Sequence, residues 1–200
     1  MLGPEQSANP DMVSRFRSEA KAASRLSHSN IVGVYEAATI DGVSFIAQEF
    51  VDGADLGHLI AQHGALPLKR TVSIIQQVSE ALAFLHRRNI IHRDIKPSNL
   101  LVSRDGNLKL ADMGVARSLD ADSDSGQVTQ VGNVVGTVDY IAPEQIGDSH
   151  SADARSDIYS LGCAWYEMLT GSPPFPEGSL TDKINSHATQ PPPDPRVVAG

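Results

Sequence analysis

A single cysteine in 200 residues, Cys163, leaves no partner for an internal disulfide. With Leu161, Ala164 and Trp165 around it, it reads as a buried thiol in a reducing compartment. No run of 18 apolar residues occurs, so nothing in the sequence reads as a membrane-spanning helix. Met1-Leu2-Gly3-Pro4-Glu5-Gln6 has neither a basic n-region nor an apolar h-region, so no secretory signal is legible, and the expectation is a cytoplasmic domain. Basic residues are also scarce. Sixteen Lys and Arg against 24 Asp and Glu give a net charge of −8, which argues against a nucleic-acid binder working by phosphate neutralisation. The deficit is one-sided: residues 1–100 hold ten of each sign, while 101–200 hold six basic and fourteen acidic.

The chain does hold material for a core, with 40% hydrophobic residues in 21.3 kDa, the size of one ordinary domain or a piece of a larger one. Asn9-Pro10-Asp11 is an N-cap, N1 and first-turn acid, and Val13, Phe16, Ala20, Ala23 and Leu26 follow at helical spacing. Residues 31–38 and 43–50 read as strands around the turn Asp41-Gly42. A short helix around 56–62 follows, and then a long one over 68–88 with Val72, Ile75, Val78, Leu82 and Leu85 on one face. Two short strands, 100–102 and 108–110, precede an acidic, small-residue loop at 118–127. A helix over 156–170 carries Ile158, Leu161, Trp165 and Leu169, and from Gly171 onward the chain reads as turns and a proline tail.

Chemistry concentrates in His92-Arg93-Asp94-Ile95-Lys96-Pro97-Ser98-Asn99. Phosphoryl transfer needs a carboxylate near the acceptor hydroxyl, a cation near the moving phosphoryl group and oxygen ligands for a metal. Asp94, Lys96 and Asn99 supply these at short fixed spacing. The plain alternative is a polar loop between a helix and a hairpin. Asp112-Met113-Gly114 lies 18 residues beyond Asp94, at a strand end where a carboxylate can hold Mg²⁺. Gly136-Thr137-Val138-Asp139-Tyr140-Ile141-Ala142-Pro143-Glu144 completes the series. The other histidines (His28, His58, His63, His86, His150 and His187) show no metal-ligand spacing and read as solvent-facing or capping residues.

Taken in order, these blocks resemble the eukaryotic-type protein kinase family, and its bacterial Ser/Thr branch in particular, over residues 12–198. The resemblance implies an α+β, two-lobed kinase-like fold: a partial small lobe of helix and antiparallel strands at 1–50, and a partial, mostly helical large lobe at 51–200. It implies ATP and Mg²⁺ as cofactors, protein Ser/Thr hydroxyls as acceptors, and self-association for autophosphorylation. Asp94 would be the catalytic carboxylate, Lys96 would steady the transferring phosphoryl group, and Asn99 and Asp112 would hold Mg²⁺. Glu49-Phe50-Val51 resembles the hinge whose backbone reads the adenine edge, behind Gln48. Asp55 would meet the ribose, and Leu101 would lie under the adenine. Asp157 resembles the helix aspartate that buttresses the backbone around His92 and Arg93. Thr137 resembles the threonine that shapes the acceptor pocket. Thr129 stands where a regulatory phosphothreonine could pair with Arg93 and Arg117; the alternative is an unmodified loop threonine.

Two parts of the family pattern are missing from these 200 residues. No G-x-G-x-x-G-x-V and no V-A-x-K precede Glu19, the residue resembling the lysine-pairing glutamate of the mobile helix, whose bland reading is a solvated helix acid. The expectation is that Met1 is internal to a longer reading frame. Nor does 145–200 offer the late-helix arginine that pairs with Glu144 in the family, so Glu144 is expected to be orphaned. These 200 residues alone are therefore expected to be weakly active or inactive, and two other readings stand beside a kinase: a pseudokinase that only binds or scaffolds, and a non-enzymatic fragment.

Overall fold

Asn9 starts the first helix by accepting from the N–H groups of Asp11 (3.0 Å) and Met12 (3.4 Å), with Pro10 at N1. The structure, a computed structural model, describes residues 9–112, 138–147 and 152–198, without the side chains of Arg15 and Glu19. Helix α1 (Pro10–Ala23) buries Phe16, which packs on Met12, Val13 and Ile46. Strands β1 (Val34–Ile40) and β2 (Val43–Gln48) pair antiparallel across Asp41-Gly42, both at positive φ (50° and 79°), as a tight hairpin turn requires.

The strand expected from Ile31 begins at Val34 instead. Asn30 is almost fully buried, and its amide donates to Gln77 Oε1 and to the Leu108 carbonyl, both at 3.0 Å. Leu110 N–H donates to the Asn30 carbonyl and Val32 N–H to the Leu110 carbonyl. Residues 30–32 are therefore fastened to the helical unit rather than to the hairpin.

That second unit is built on a three-stranded antiparallel sheet ordered β3 (Gly53–Asp55), β4 (Leu100–Ser103), β5 (Leu108–Leu110). Helices α2 (Leu56–His63), α3 (Leu68–His86) and α5 (Ala154–Thr170) pack around it, with α4 (Pro143–Gly147) short between them. Leu56, Val78, Leu82, Leu85, Leu100 and Leu108 form the dry centre. Gly53 is required where β3 meets β4: a Cβ there would lie 2.0 Å from the Val102 carbonyl oxygen. Gly53→Ala is expected to destabilise the chain by about 1–3 kcal/mol, because backbone has to yield; an unchanged denaturation midpoint would contradict this.

Helix α3 keeps most of its expected face, whereas α5 turns away from its apolar pattern. In α3 the inward face carries Thr71, Ile74, Val78, Leu82 and Leu85, while Val72 is 41% exposed. In α5, Ile158 and Trp165 are 55% and 40% exposed, and Ser156, Asp157, Ser160, Leu161 and Met168 are buried. The rotation follows from hydrogen bonding. Asp157 accepts from the backbone of His92 and Arg93, and Ser160 Oγ donates to the Tyr140 carbonyl at 2.7 Å. Cys163 is buried on this helix, and burial pushes its thiol up to about 12. Among the described residues no helix is long and apolar enough to cross a membrane.

Beyond Gly171 the expected turns contain a ten-residue helix, α6 (Leu180–Thr189), opened by a capping box between Ser179 and Asp182, and a short α7 (Pro195–Val198). His187 of α6 is buried, a correction to the expectation that it faces solvent. Its Nδ1 lies 2.9 Å from the Tyr159 hydroxyl, and its ring meets Phe175 edge-on. Burial pushes its pKa below the ordinary 6.5, against the smaller opposing pull of Asp139; Lys183 also faces it. Its contribution to stability is complete above pH 6.5 and is lost as pH falls through the lowered folded value. Acidification to about pH 5.5 should therefore lower the thermal midpoint, and His187→Asn should flatten that fall. An equal slope in the variant would count against this coupling.

Candidate active site

The loop after α3 carries the proposed chemistry, and Asp157 of α5 sets its backbone. Asp157 Oδ1 accepts from Arg93 N–H (2.8 Å), and Oδ2 accepts from His92 N–H (2.9 Å) and lies 2.7 Å from His86 Nε2. His86 is thus a side-chain partner of Asp157 rather than the solvent-facing or capping residue expected. Arg93 takes φ +64°, a left-handed conformation that costs a non-glycine residue about 1–2 kcal/mol and needs such a clamp. Gln145 Nε2 adds a bond of 3.3 Å to the Arg93 carbonyl.

His92 ties the loop to the strand beside it. Its Nδ1 accepts from Asp94 N–H (3.3 Å), which leaves Nε2 to donate to the Ala111 carbonyl (3.0 Å). Burial lowers its pKa, which agrees with a neutral ring. Asn99, in the 3₁₀ turn Pro97–Asn99, donates through Nδ2 to the Asp94 carbonyl (2.7 Å) and to Asp94 Oδ2 (3.0 Å). Lys96 Nζ lies 3.0 Å from the same Oδ2. Ala111 N–H donates to the Asn99 carbonyl, so Asp112 begins directly beside Asn99. Asp112 is exposed and has φ +55°. Asp94, Lys96, Asn99 and Asp112 are therefore one constellation, although 18 residues separate its ends.

The residues assigned to nucleotide binding are joined by sheet register. Asp55 stands opposite Leu101, and Leu101 opposite Lys109, so the three share one face of the sheet. Lys109 pairs in turn with Glu49 at 2.6 Å. Val51 is half-buried in the connection to β3. Asp55 has a second occupation, capping α2 by accepting from His58 N–H at 2.8 Å. The side chain of Glu19, together with Thr129, Thr137 and Arg117, lies outside the described residues.

Residues 4–193 match the family model described as the protein kinase domain. The chain belongs to the protein kinase family. Serine/threonine-protein kinase PknB of Mycobacterium leprae is 42% identical over 197 residues, which cover 96% of this chain and 31% of that protein. The kinase domain of Mycobacterium tuberculosis PknI superposes with a TM-score of 0.68 at 28% identity, covering 98% of this chain and 68% of the other. Rad53 1–466 in complex with AMP-PNP gives 0.69 at 30% identity, over 87% of this chain and 42% of the other. These relatives place the kinase chain in the bacterial Ser/Thr branch. It spans about a third of the curated relatives' length.

Several residues at the site find partners outside the motifs. Glu144 is not orphaned as expected: its Oε1 accepts from Ser156 Oγ at 2.5 Å. Tyr140 donates through its hydroxyl to Glu167 Oε2, and Lys183 Nζ meets Asp139 Oδ1 at 2.6 Å, fixing the turn Val138–Tyr140 onto α5 and α6. Burial raises the pKa of both Glu167 and Tyr140. Gln77, Lys109 and Glu167 are ordinary polar residues of helix or strand until the fold supplies partners distant in sequence. The buried Asp157 could be anticipated from its motif, whereas its partner His86 could not.

Proposed function

We propose that this kinase chain transfers the γ-phosphoryl group of ATP to serine and threonine hydroxyls of proteins, with 1–50 as part of the small lobe and 51–200 as part of the large lobe. The observation that carries this reading is the shared hold on Asp94 Oδ2 by Lys96 and Asn99, next to Asp112. Asp94 orients the acceptor hydroxyl and takes up its proton as the new P–O bond forms and the bond from the γ-phosphorus to the bridging oxygen breaks, releasing ADP. Lys96, held beside it, balances negative charge on the moving phosphoryl oxygens. The presence of Lys96 favours Ser/Thr over Tyr acceptors. The carboxylate of Asp112 and the amide oxygen of Asn99 are hard donors that suit Mg²⁺, whose role when bound is to neutralise phosphate charge.

Backbone groups of Glu49 and Val51 would read the adenine edge, Leu101 would lie under the ring, and Asp55 would meet the ribose. Glu19 would serve the phosphate-binding lysine, Thr137 the acceptor pocket, and Thr129 would be the regulatory phosphorylation site, reached by a second copy of the chain. A cytoplasmic location accompanies ATP as donor. The test is Mg²⁺-dependent transfer of ³²P from ATP to a generic protein, with phosphoamino-acid analysis expected to find Ser and Thr. A second reading, a nucleotide-binding module without transfer, predicts a different result. ATP binding with no label transferred would select it.

A further inference from the structure

The side chain of Glu49 meets two other segments at once, apart from the hinge role given to its backbone. Oε2 accepts from Gly33 N–H (3.0 Å) and Lys109 Nζ (2.8 Å), and Oε1 lies 2.6 Å from the same nitrogen. Glu49 N–H returns a bond of 2.7 Å to the Gly33 carbonyl, so the Glu49–Gly33 contact is fixed at two points. Gly33 leads into β1, Glu49 follows β2, and Lys109 is the middle residue of β5. The chain runs from Lys109 through Leu110 and Ala111 into Asp112.

The pair differs from an ordinary surface ion pair in three respects. It is bidentate, its side chains are only 22% and 28% exposed, and one oxygen also takes a backbone N–H. Lys109 holds the Glu49 carboxyl below its ordinary 4.5, with the Gly33 N–H acting in the same direction. Lys109 also ends the row formed with Leu101 and Asp55. Lys109 lies on β5, the strand that leads to Asp112, directly beside Leu101 of β4.

We propose that Glu49 and Lys109 form an interlobe latch: Lys109 is a positioning residue that fixes the hinge backbone at 49–51 against the row Lys109–Leu101–Asp55, and so sets nucleotide affinity. This rests on the nucleotide placement proposed above. A tilt of the hinge would separate the group that reads the adenine edge from the residues beneath the ring and at the ribose. The latch holds those two halves of one ligand site together across the lobes.

The test uses the full chain with Lys109→Met, Glu49→Gln and the exchanged pair Glu49→Lys/Lys109→Glu. It measures the dissociation constant for Mg-ADP, the thermal midpoint, and amide exchange across residues 49–53. Each single variant is expected to weaken ADP about three- to tenfold, in line with a partly screened pair, and to speed exchange at 49–53 selectively. The exchanged pair should recover most of both. Wild type binding ADP with Lys109→Met binding it equally would overturn the latch alone. Exchange rising uniformly with the fall in midpoint would reduce the pair to a structural contact and overturn it as well. A wild-type chain that binds no ADP would overturn the nucleotide placement and the latch with it.

Discussion

Asp94→Asn is expected to lower phosphoryl transfer by about 10²–10⁴-fold, the usual worth of a positioned proton acceptor. The substitution keeps shape and can keep the bond from Asn99 Nδ2 to the Asp94 backbone carbonyl, which the side-chain change does not touch. It removes the negative charge that Lys96 faces at 3.0 Å. The effect should therefore fall on turnover, with the Michaelis constant for ATP changed little. The measurement is initial rate against ATP concentration at fixed acceptor. A variant as fast as wild type would remove Asp94 from the reaction.

Asp157→Ala is expected to have the largest effect on folding. Its side chain is fully buried and serves His86 Nε2, His92 N–H and Arg93 N–H. Truncation leaves those two backbone donors without this acceptor at a buried site, and removes the anchor for Arg93 at φ +64°. Loss of a buried, multiply bonded charge from its partners costs about 3–5 kcal/mol. For a chain of this size that is a fall of about 10 °C in thermal midpoint. Calorimetry checks it, and Asp157→Asn should lie between wild type and alanine, because one carbonyl acceptor remains. An alanine variant within about 1 °C of wild type would show that the loop is held by other contacts.

Local chemistry made most of the element order legible. The Asn9 cap, the Asp41-Gly42 turn and the 68–88 periodicity all mark elements that formed. The catalytic motif was legible because Asp94, Lys96 and Asn99 are close in sequence, so their spacing carries the chemistry. What stayed hidden depends on distant partners. The run before the Asp41-Gly42 turn predicts a strand from Ile31, yet buried Asn30 fastens that stretch to Gln77 and Leu108. Helix α5 was read by its apolar residues, yet its inward face is chosen by bonds to the loops. His86, His187 and Ser156 were read as bland or left out because their partners lie from 12 to 71 residues away. Leu180–Thr189 went unseen because a mostly polar decapeptide offers little periodicity, and its capping box was the signal available.

The polar inward face of α5 has a consequence for how this domain tolerates change. A turn of the helix by one residue, about 100°, would bring Ile158 and Trp165 closer to the interior, a gain on hydrophobic grounds alone. The same turn would break the bonds of Ser156, Asp157 and Ser160 together, and with them the seating of both the Asp94 loop and the Tyr140 turn. The helix is thus keyed like a camshaft: its angular setting, more than its grease, times two loops to one another. Substitutions that raise the hydrophobicity of that face should yield chains that still collapse and still show helix, but whose two loops no longer keep their places relative to one another.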